Sequence, residues 1–354
     1  MTPKRFSRKR SAGFGLIEVM VALVIGMFGV VVMMQVLALS EEQKRTTTGS
    51  GDAMNEGVLA LYSLQTDIRM SGYGVTDLKL LGCGLTLRAG VTLTNLAPVV
   101  INSASITGQD ANTDTLLLFY GNGNGSPQGD VVAATGNAVQ TPASFAVGDR
   151  VIDAPATRAT PCNLTLDQVS ALTPAVSPTT VTLASAAALP IGDTVFNLGQ
   201  TYRAVGYAIR SGNLTMCDYT DATRDCTTAG AWVSIANNIV SLRAQYGQDT
   251  AVGAMDGVVD VYTSTNATPT TACSWARTSA VRLSLVARSA QFEKTAVTSL
   301  APIWEGTTAG NPTGSTASPI VLSGNATWQN YRYKVFQTVV PLRNVSWMGV
   351  ASGC

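Results

Sequence analysis

Few residues in this chain of 354 have side chains suited to chemistry. They are Glu18 in an apolar run, the aspartates Asp249, Asp256 and Asp260, and six cysteines, Cys83, Cys162, Cys217, Cys226, Cys273 and Cys354. Histidine is absent, which removes the commonest general base and the commonest metal ligand. Ser-His-Asp and Cys-His catalysis and most zinc sites are therefore excluded, and we do not expect an enzyme.

The cysteines point to structural disulfides. All six follow the apolar run, and an even number in an oxidising compartment predicts up to three disulfides, with about 15 possible connectivities. Cys217 and Cys226 flank a short polar loop and are the easiest pair to propose. The sequence has no CxxC spacing, so a structural role is favoured over metal binding or redox chemistry.

The charge distribution bears on the compartment and the partners. Only 13% of the residues are charged, against about a quarter in a typical soluble protein, and the resulting uncharged polar surface suits a secreted or envelope protein. Five basic residues lie in the first thirteen positions, where there is no acid, so the rest carries 18 basic and 22 acidic residues, a net charge of −4. A mildly acidic body lacks the basic stripe that nucleic-acid binding requires.

Residues 14–39 form an apolar run in which Glu18 is the sole charge. A helix of this length is long enough to cross the hydrocarbon core of a bilayer, which is about 30 Å thick. The basic segment before it should remain cytoplasmic, placing residues after about 45 on the far side of the membrane. A secretory signal would have a shorter apolar core and a small-residue cleavage site. A plain uncleaved anchor is the stronger alternative, but it leaves Glu18 unexplained, since an acid in a membrane span costs about 2.5 kcal/mol or more.

Gly13-Phe14-Gly15-Leu16-Ile17-Glu18 resembles the type IV prepilin motif. The resemblance implies that residues 1–13 are a leader, which a prepilin peptidase removes after Gly13 before methylating Phe14. It also implies that Glu18, the fifth mature residue, pairs with the N-terminal ammonium group of a neighbouring subunit during assembly. The family often has Thr where this chain has Gly15, a departure that leaves the glycine and the acid in place.

The lack of proline between Pro3 and Pro98 permits a long helix, which we place at residues 14–72, with 14–39 as the transmembrane and assembly segment. The run Thr46–Gly51 is a poor helix former, so we expect a bend or interruption there, with Asp52 as the N-cap of the resumed helix. The apolar face of the second part is predicted to consist of Val58, Leu61, Leu64, Gln65 and Ile68, and Gly72 and Gly74 should end the helix.

Residues 73–354 change to short runs rich in Val, Leu, Thr and Tyr between turn residues. We expect strands at Thr115–Tyr120, Val131–Ala134, Arg150–Asp153, Thr180–Leu183, Thr194–Leu198, Thr201–Ile209, Val258–Thr263, Val281–Ala287 and Tyr333–Pro341. The pattern predicts an α+β, mainly antiparallel domain, and the resemblance implies a pilin-like fold with the helix packed on the sheet. Gly121–Ser126 and Glu305–Ser318 are predicted to be mobile loops.

The resemblance also bears on the remaining cysteines and on the aspartates. Pilins use C-terminal disulfides, which motivates pairing Cys273 with Cys354 and leaves Cys83 with Cys162 by elimination. The loop with Asp249, Asp256 and Asp260 resembles a segment of related minor pilins in which calcium coordination is conceivable. Calcium takes about six to eight oxygen ligands and the spacing is unlike an EF-hand, so a solvated turn is the expectation and no cofactor is predicted.

The tail Tyr331–Asn344 resembles the C-terminal signature of PilW-type minor pilins, as do Asp114–Leu116, Ile239–Gly247 and Val281–Leu285. This implies a minor pilin in a complex that primes pilus assembly, sits at the filament tip and supports adhesion and twitching motility. The implied partners are other minor pilins, the major pilin, a tip adhesin, the prepilin peptidase and the inner-membrane assembly platform.

The implied location is the inner membrane, crossed once, with a periplasmic domain before assembly and the pilus afterwards. Two alternatives remain open. One is a minor pseudopilin of a type II secretion system, which gene context would separate from a pilin. The other is an adhesin that binds a surface ligand through residues 121–240, a region that no motif covers.

Overall fold

The computed structural model describes residues 13, 15–173, 177–263, 269–308, 313–347, 349–351 and 353–354. The chain divides into two units, residues 1–49 and Ser50–Cys354. Helix α1, Leu16–Met70, contributes to both.

The predicted interruption of the helix at Thr46–Gly51 is wrong, because α1 continues through these residues. The Thr47 hydroxyl donates to the Gln43 carbonyl at 2.9 Å, the bond to position i−4 that satisfies a threonine inside a helix. Asp52 lies within the helix and is therefore not an N-cap.

The second unit consists mainly of strands. In chain order they are β1 (Gly84–Arg88), β2 (Val91–Leu93), β3 (Val99–Ile101), β4 (Leu116–Tyr120), β5 (Asp130–Ala134), β6 (Ala138–Val139), β7 (Arg150–Ala154), β8 (Asn163–Thr173), β9 (Thr179–Leu183), β10 (Thr194–Gly199), β11 (Arg203–Arg210), β12 (Asn213–Asp218), β13 (Val233–Ala236), β14 (Ile239–Gln248), β15 (Val261–Thr263), β16 (Thr278–Arg288) and β17 (Tyr333–Pro341). Two short helices, α2 (Ala272–Ala276) and α3 (Arg343–Trp347), accompany them.

Within the described ranges these strands form three sheets. Their orders are β2-β1-β8-β7-β10-β5-β6-β9, β13-β12-β11-β4-β3 and β15-β14-β16-β17. The pairing of β1 with β8 is parallel and the other described pairings are antiparallel. The predicted α+β, mainly antiparallel fold is confirmed.

Each of the nine predicted strands is present, with ends shifted by at most a few residues. Strand β8, with eleven residues, was not predicted from the sequence. Its residues are largely polar and half of it is exposed, so it carries no strong strand pattern. Pairing with β1, β7 and β9 holds it extended instead.

The second part of α1 packs on the sheets through one buried face, small in its first turns and aliphatic in its last. This face comprises Ala53, Gly57, Ala60, Leu64 and Ile68. Val58 had been predicted on it, but this side chain is 49% exposed. A Cβ atom on Gly57 would lie 2.0 Å from Phe336 Cε2, so the helix backbone itself rests against a ring of β17. Close approach here requires the absence of a side chain.

The glycine-rich segment Gly121–Ser126 packs against neighbouring backbone, so the prediction of a mobile loop is wrong here. The Gly121 N–H donates to the Tyr73 carbonyl at 2.9 Å, and the Tyr73 hydroxyl donates to the Gly123 carbonyl at 2.8 Å. A Cβ atom on Gly123 would lie 2.8 Å from backbone atoms of Asn197 and Gly199. Glycine serves close backbone packing here, which a sequence pattern cannot distinguish from flexibility.

The described part of Glu305–Ser318, which lacks 309–312, is also fastened to the sheet. Trp304, just before it, is buried and donates through Nε1 to the Ser318 carbonyl at 2.6 Å. The buried Arg282 guanidinium lies 5.6 Å from the centre of the Trp304 ring and donates through Nε to Gln245 Oε1 at 2.9 Å. The expectation of a mobile loop is wrong for these residues, because a cation from β16 anchors the segment.

Three disulfides cross-link the second unit. They join Cys83 to Cys162, Cys217 to Cys226 and Cys273 to Cys354. These are the pairs that the sequence analysis favoured. The first and third close segments of 79 and 81 residues, whereas the second closes only 9.

Two helix glycines provide a matched test of the helix packing. Gly57→Ala is expected to destabilise the protein by about 1–3 kcal/mol, because the new methyl group would overlap the Phe336 ring. Gly51→Ala should be neutral or stabilise by up to about 1 kcal/mol, since no atom lies within 4 Å of its Cβ position and alanine is the better helix former. Urea unfolding in detergent measures both, and equal effects would contradict the packing.

The disulfides should differ in their contributions to stability. On a loop-closure basis, losing the cross-link between Cys83 and Cys162 costs about 4.5 kcal/mol and losing that between Cys217 and Cys226 about 2.6 kcal/mol. Paired Cys→Ala variants, compared by urea unfolding, should therefore show the larger loss for the longer loop. The reverse order would indicate that the native packing around the shorter loop dominates.

Candidate functional site: the N-terminal segment and the C-terminal clamp

The N-terminal segment places Glu18 in the first turn of a helix. Gly13 and Gly15 are exposed and α1 begins at Leu16. The Gly15 N–H donates to Glu18 Oε2 at 3.2 Å, as an acid at the third helical position does when it caps a helix start. The helix dipole favours a negative charge at this end. Phe14, the expected methylation site, lies outside the described residues.

The helix beyond Glu18 has an apolar surface that is exposed among the described residues. The most apolar stretch within Leu16–Glu41 has a mean hydropathy of 2.7, and none of it is buried. Leu16, Phe28 and Leu37 expose 81%, 69% and 64% of their surfaces. A helix that is apolar all round is stable only when lipid or other helices surround it. At about 1.5 Å per residue, its length is sufficient to cross a bilayer.

The aspartate loop after β14 satisfies its acids internally. Asp249 is 2% exposed, and its carboxylate accepts the N–H groups of Ala251, Asp256 and Gly257 at 2.8–3.0 Å. Asp256 accepts the Val258 N–H at 2.8 Å. Among the described residues no group of three or more Asp, Glu, Cys or His side chains is placed to hold a metal ion. The structure therefore does not assemble the calcium ligand set considered from the sequence.

Asp260, the third acid of that set, caps a different part of the loop. Its carboxylate accepts the N–H of Thr250 at 2.7 Å.

Burial would raise the pKa of Asp249, but the three N–H donors and the guanidinium of Arg277 outweigh the effect of burial and hold that pKa below the ordinary value. Asp249 thus acts as an ionised anchor for its own loop.

Arg277, which the sequence analysis missed, ties this loop to the end of the chain. Its Nη1 lies 3.3 Å from Asp249 Oδ1 and 3.0 Å from the Ala251 carbonyl oxygen. Its Nε donates to the carbonyl of Cys354 at 3.1 Å, beside the disulfide to Cys273. Nothing in the sequence marks this arginine, because its partners come from distant positions.

The tail closes the other end of α1. Asn344 Nδ2 donates to the carbonyls of Met70 and Ser71 at 3.0 and 2.8 Å. Met70 is the last residue of the helix and Ser71 directly follows it, where carbonyl groups have no partner within the helix. The tail resemblance Tyr331–Asn344 therefore covers both the strand β17 and the residue that caps α1.

Residues 121–240, which no motif covered, contain a separate small core. Its buried members are Val132, Val139, Phe145, Val151, Val169, Val181, Leu183, Leu189 and Val195. These side chains come from strands β5 to β10 and the connections between them. The region is thus a folded part of the domain, built on the largest sheet.

Two family models match the chain. "Prokaryotic N-terminal methylation motif" matches residues 8–34, which contain the cleavage motif and most of the apolar run. "Type IV Pilus-assembly protein W" matches residues 207–344, from β11 to the tail. The second match includes the Ile239–Gly247, Val281–Leu285 and Tyr331–Asn344 resemblances.

Comparison with curated proteins gave no match. Among solved structures, the type IV-like pilin TTHA1219 from Thermus thermophilus aligns with 82% of this chain and 96% of its own, at 11% identity and a TM-score of 0.31. Together the two family models, at the N-terminal methylation motif and over residues 207–344, support a type IV pilin of the PilW type with a membrane-anchoring N-terminal helix.

Proposed function

We propose that this minor pilin is cut after Gly13, methylated on Phe14 and assembled with other minor pilins into a complex that initiates the pilus. The observation that carries the proposal is Glu18, an ionisable residue in an apolar helix whose described side chains are exposed. An acid in such a segment is by default functional and has a partner. The ammonium group of an adjacent subunit supplies one.

The driving force for assembly is the exchange of lipid contacts for helix contacts along Leu16–Leu39. Packing of apolar helices in a membrane gains little from the hydrophobic effect itself, so register needs a polar contact. Pairing of Glu18 with a neighbouring N-terminus supplies that register. The partners are then the major pilin, other minor pilins and a tip adhesin, with the prepilin peptidase and the inner-membrane platform acting during assembly.

A priming role at the tip is supported by the size of the second unit. Residues 50–354 form a large body with extensive loops and three disulfides, and a subunit carrying such a body is easier to place at a filament end than in repeated layers. On this proposal the body faces the periplasm before assembly and the cell exterior afterwards. Adhesion and twitching motility would then depend on the protein through the pili that it initiates.

Substitution of Glu18 tests the register role. In a strain lacking the native gene, Glu18→Ala should be processed normally yet yield few pili and little twitching, because the helix loses its charged partner. Glu41→Ala, which removes an exposed acid at the far end of the same span, should leave both unchanged. Electron microscopy of sheared pili and a stab-agar motility assay give the readouts.

Normal piliation with Glu18→Ala would exclude the register role. A deletion strain that keeps its pili but stops secreting exoproteins would instead place the protein in a type II secretion system. Both measurements use the same strains, so a single set of cultures distinguishes the two machines.

Substitution of Gly13 tests the processing step. No atom lies within 4 Å of the Gly13 Cβ position, so Gly13→Val does not disturb the folded chain, and any defect reflects peptidase recognition. We expect unprocessed precursor with Gly13→Val and normal processing with Gly15→Ala, whose new methyl group makes only an ordinary contact with Ile17. N-terminal sequencing and intact mass should give methylated Phe14 for the wild type. A mature terminus at any other residue would overturn the prepilin assignment.

A further inference from the structure

A cavity of about 370 Å³ lies in the second unit, away from both segments described above. Its walls come from the turn between β11 and β12, the end of β16 and the segment around the 3-10 turn Trp328–Asn330. The volume falls within the range of about 300–1,000 Å³ typical of small-molecule sites.

Arg288, at the end of β16, brings a cation to this cavity without an anion. No carboxylate lies within 4.0 Å of it in the described part of the chain, whereas Arg243 and Arg277 each pair with a buried aspartate. Its Nε is buried with no acceptor among the described residues, and its Nη2 has only a long contact of 3.4 Å to Asn238 Oδ1. A partly desolvated guanidinium favours an anionic group as partner.

The position of the guanidinium is fixed before any ligand arrives. It stacks 4.5 Å from the centre of the Tyr331 ring. Gly212, which also lines the cavity, lies beside the guanidinium, with its Cβ position 3.8 Å from Nη2.

Aromatic side chains form another wall. Trp328 is half-buried and packs, as Val240 does, against the small apolar cluster that contains Leu322. The Tyr333 hydroxyl donates to the Trp328 carbonyl at 2.8 Å, which holds the turn in place. Burial raises the pKa of Tyr333 to about 12 against the opposing charge of Arg288, so the hydroxyl remains a donor at neutral pH. The wall is preorganised for a flat apolar surface.

The rim supplies hydrogen-bond acceptors. Asp110 accepts the N–H groups of Ser211 and Gly212 at 2.8 and 2.7 Å, which fixes the turn between β11 and β12. Each carboxylate oxygen keeps a second lone pair that can accept a ligand hydroxyl. A negative group on the rim disfavours a bare anion and favours a ligand that has hydroxyls as well as a carboxylate.

We propose that this cavity binds a carboxylated sugar ring of the uronic acid class. The ring face would lie on Trp328, the carboxylate on Arg288, and a hydroxyl on Asp110. The three contacts require three separate features of one ligand, and an acidic saccharide carries them all. This binding rests on the cavity alone and is independent of the assembly role of Glu18.

Ligand-observed NMR titration of the full-length chain in a sugar-free zwitterionic detergent tests the proposal. D-glucuronic acid should bind saturably and about tenfold more tightly than D-glucose, as expected for one charge-assisted contact. Arg288→Gln should bring the two sugars to equal affinity, Arg288→Lys should retain the preference for the acid, and Trp328→Leu should weaken both. Arg203→Gln, which removes an ion-paired arginine outside the cavity, is the matched control and should bind as the wild type does.

Several outcomes would overturn the assignment. One is the absence of saturable binding of glucuronic acid to the wild type; another is an Arg288→Gln variant that retains the preference for the acid. If acetate or a short peptide carboxylate bound as tightly as glucuronic acid, the cavity would recognise only the carboxylate and not the sugar ring. Thermal unfolding of each variant, matched to the wild type, separates loss of binding from loss of fold.

Discussion

The second unit depends on the close contact between α1 and β17. Gly57 lies against the Phe336 ring with no room for a methyl group, and Gln65 bonds to Thr338 on the same strand. Because α1 lies so close, Leu64 and Ile68 are completely buried in the main core. A larger side chain at position 57 would push the helix away and open that core to water, so a missing side chain sets the distance on which the surrounding packing depends.

The two parts of α1 differ in composition and in burial. Residues 50–70 bury one face and leave Met54, Leu59 and Tyr62 exposed, as a helix on a sheet does. In residues 16–39 the apolar side chains are exposed among the described residues. Such a helix is stable when lipid or other helices surround it, and at Glu18 those surroundings must also be polar.

Arginine compensates for the low charge of the body. Arg88, Arg158 and Arg277 each donate to two or more backbone carbonyl oxygens in distant loops. A guanidinium has five donors in a rigid fork, so one side chain can fasten several carbonyls that no strand satisfies. Together with the disulfides, these contacts hold a domain rich in loops. Arg288 differs from these three arginines, because in the described part of the chain its side chain bonds to the Asn238 side chain and to no backbone carbonyl oxygen.

The sequence alone determined the features that are local in the chain. These are the basic segment, the apolar run with its acid, nine strands bounded by turn residues and the family resemblance of the tail. Each depends on residues adjacent or regularly spaced, so the pattern is sufficient. Only the tertiary structure decided which glycines mark close packing, as at Gly57 and Gly123, and which mark turns. It alone showed that the Asp249 carboxylate accepts three N–H groups of its own loop. Such outcomes depend on atoms from distant parts of the chain, and their proximity is a property of the fold.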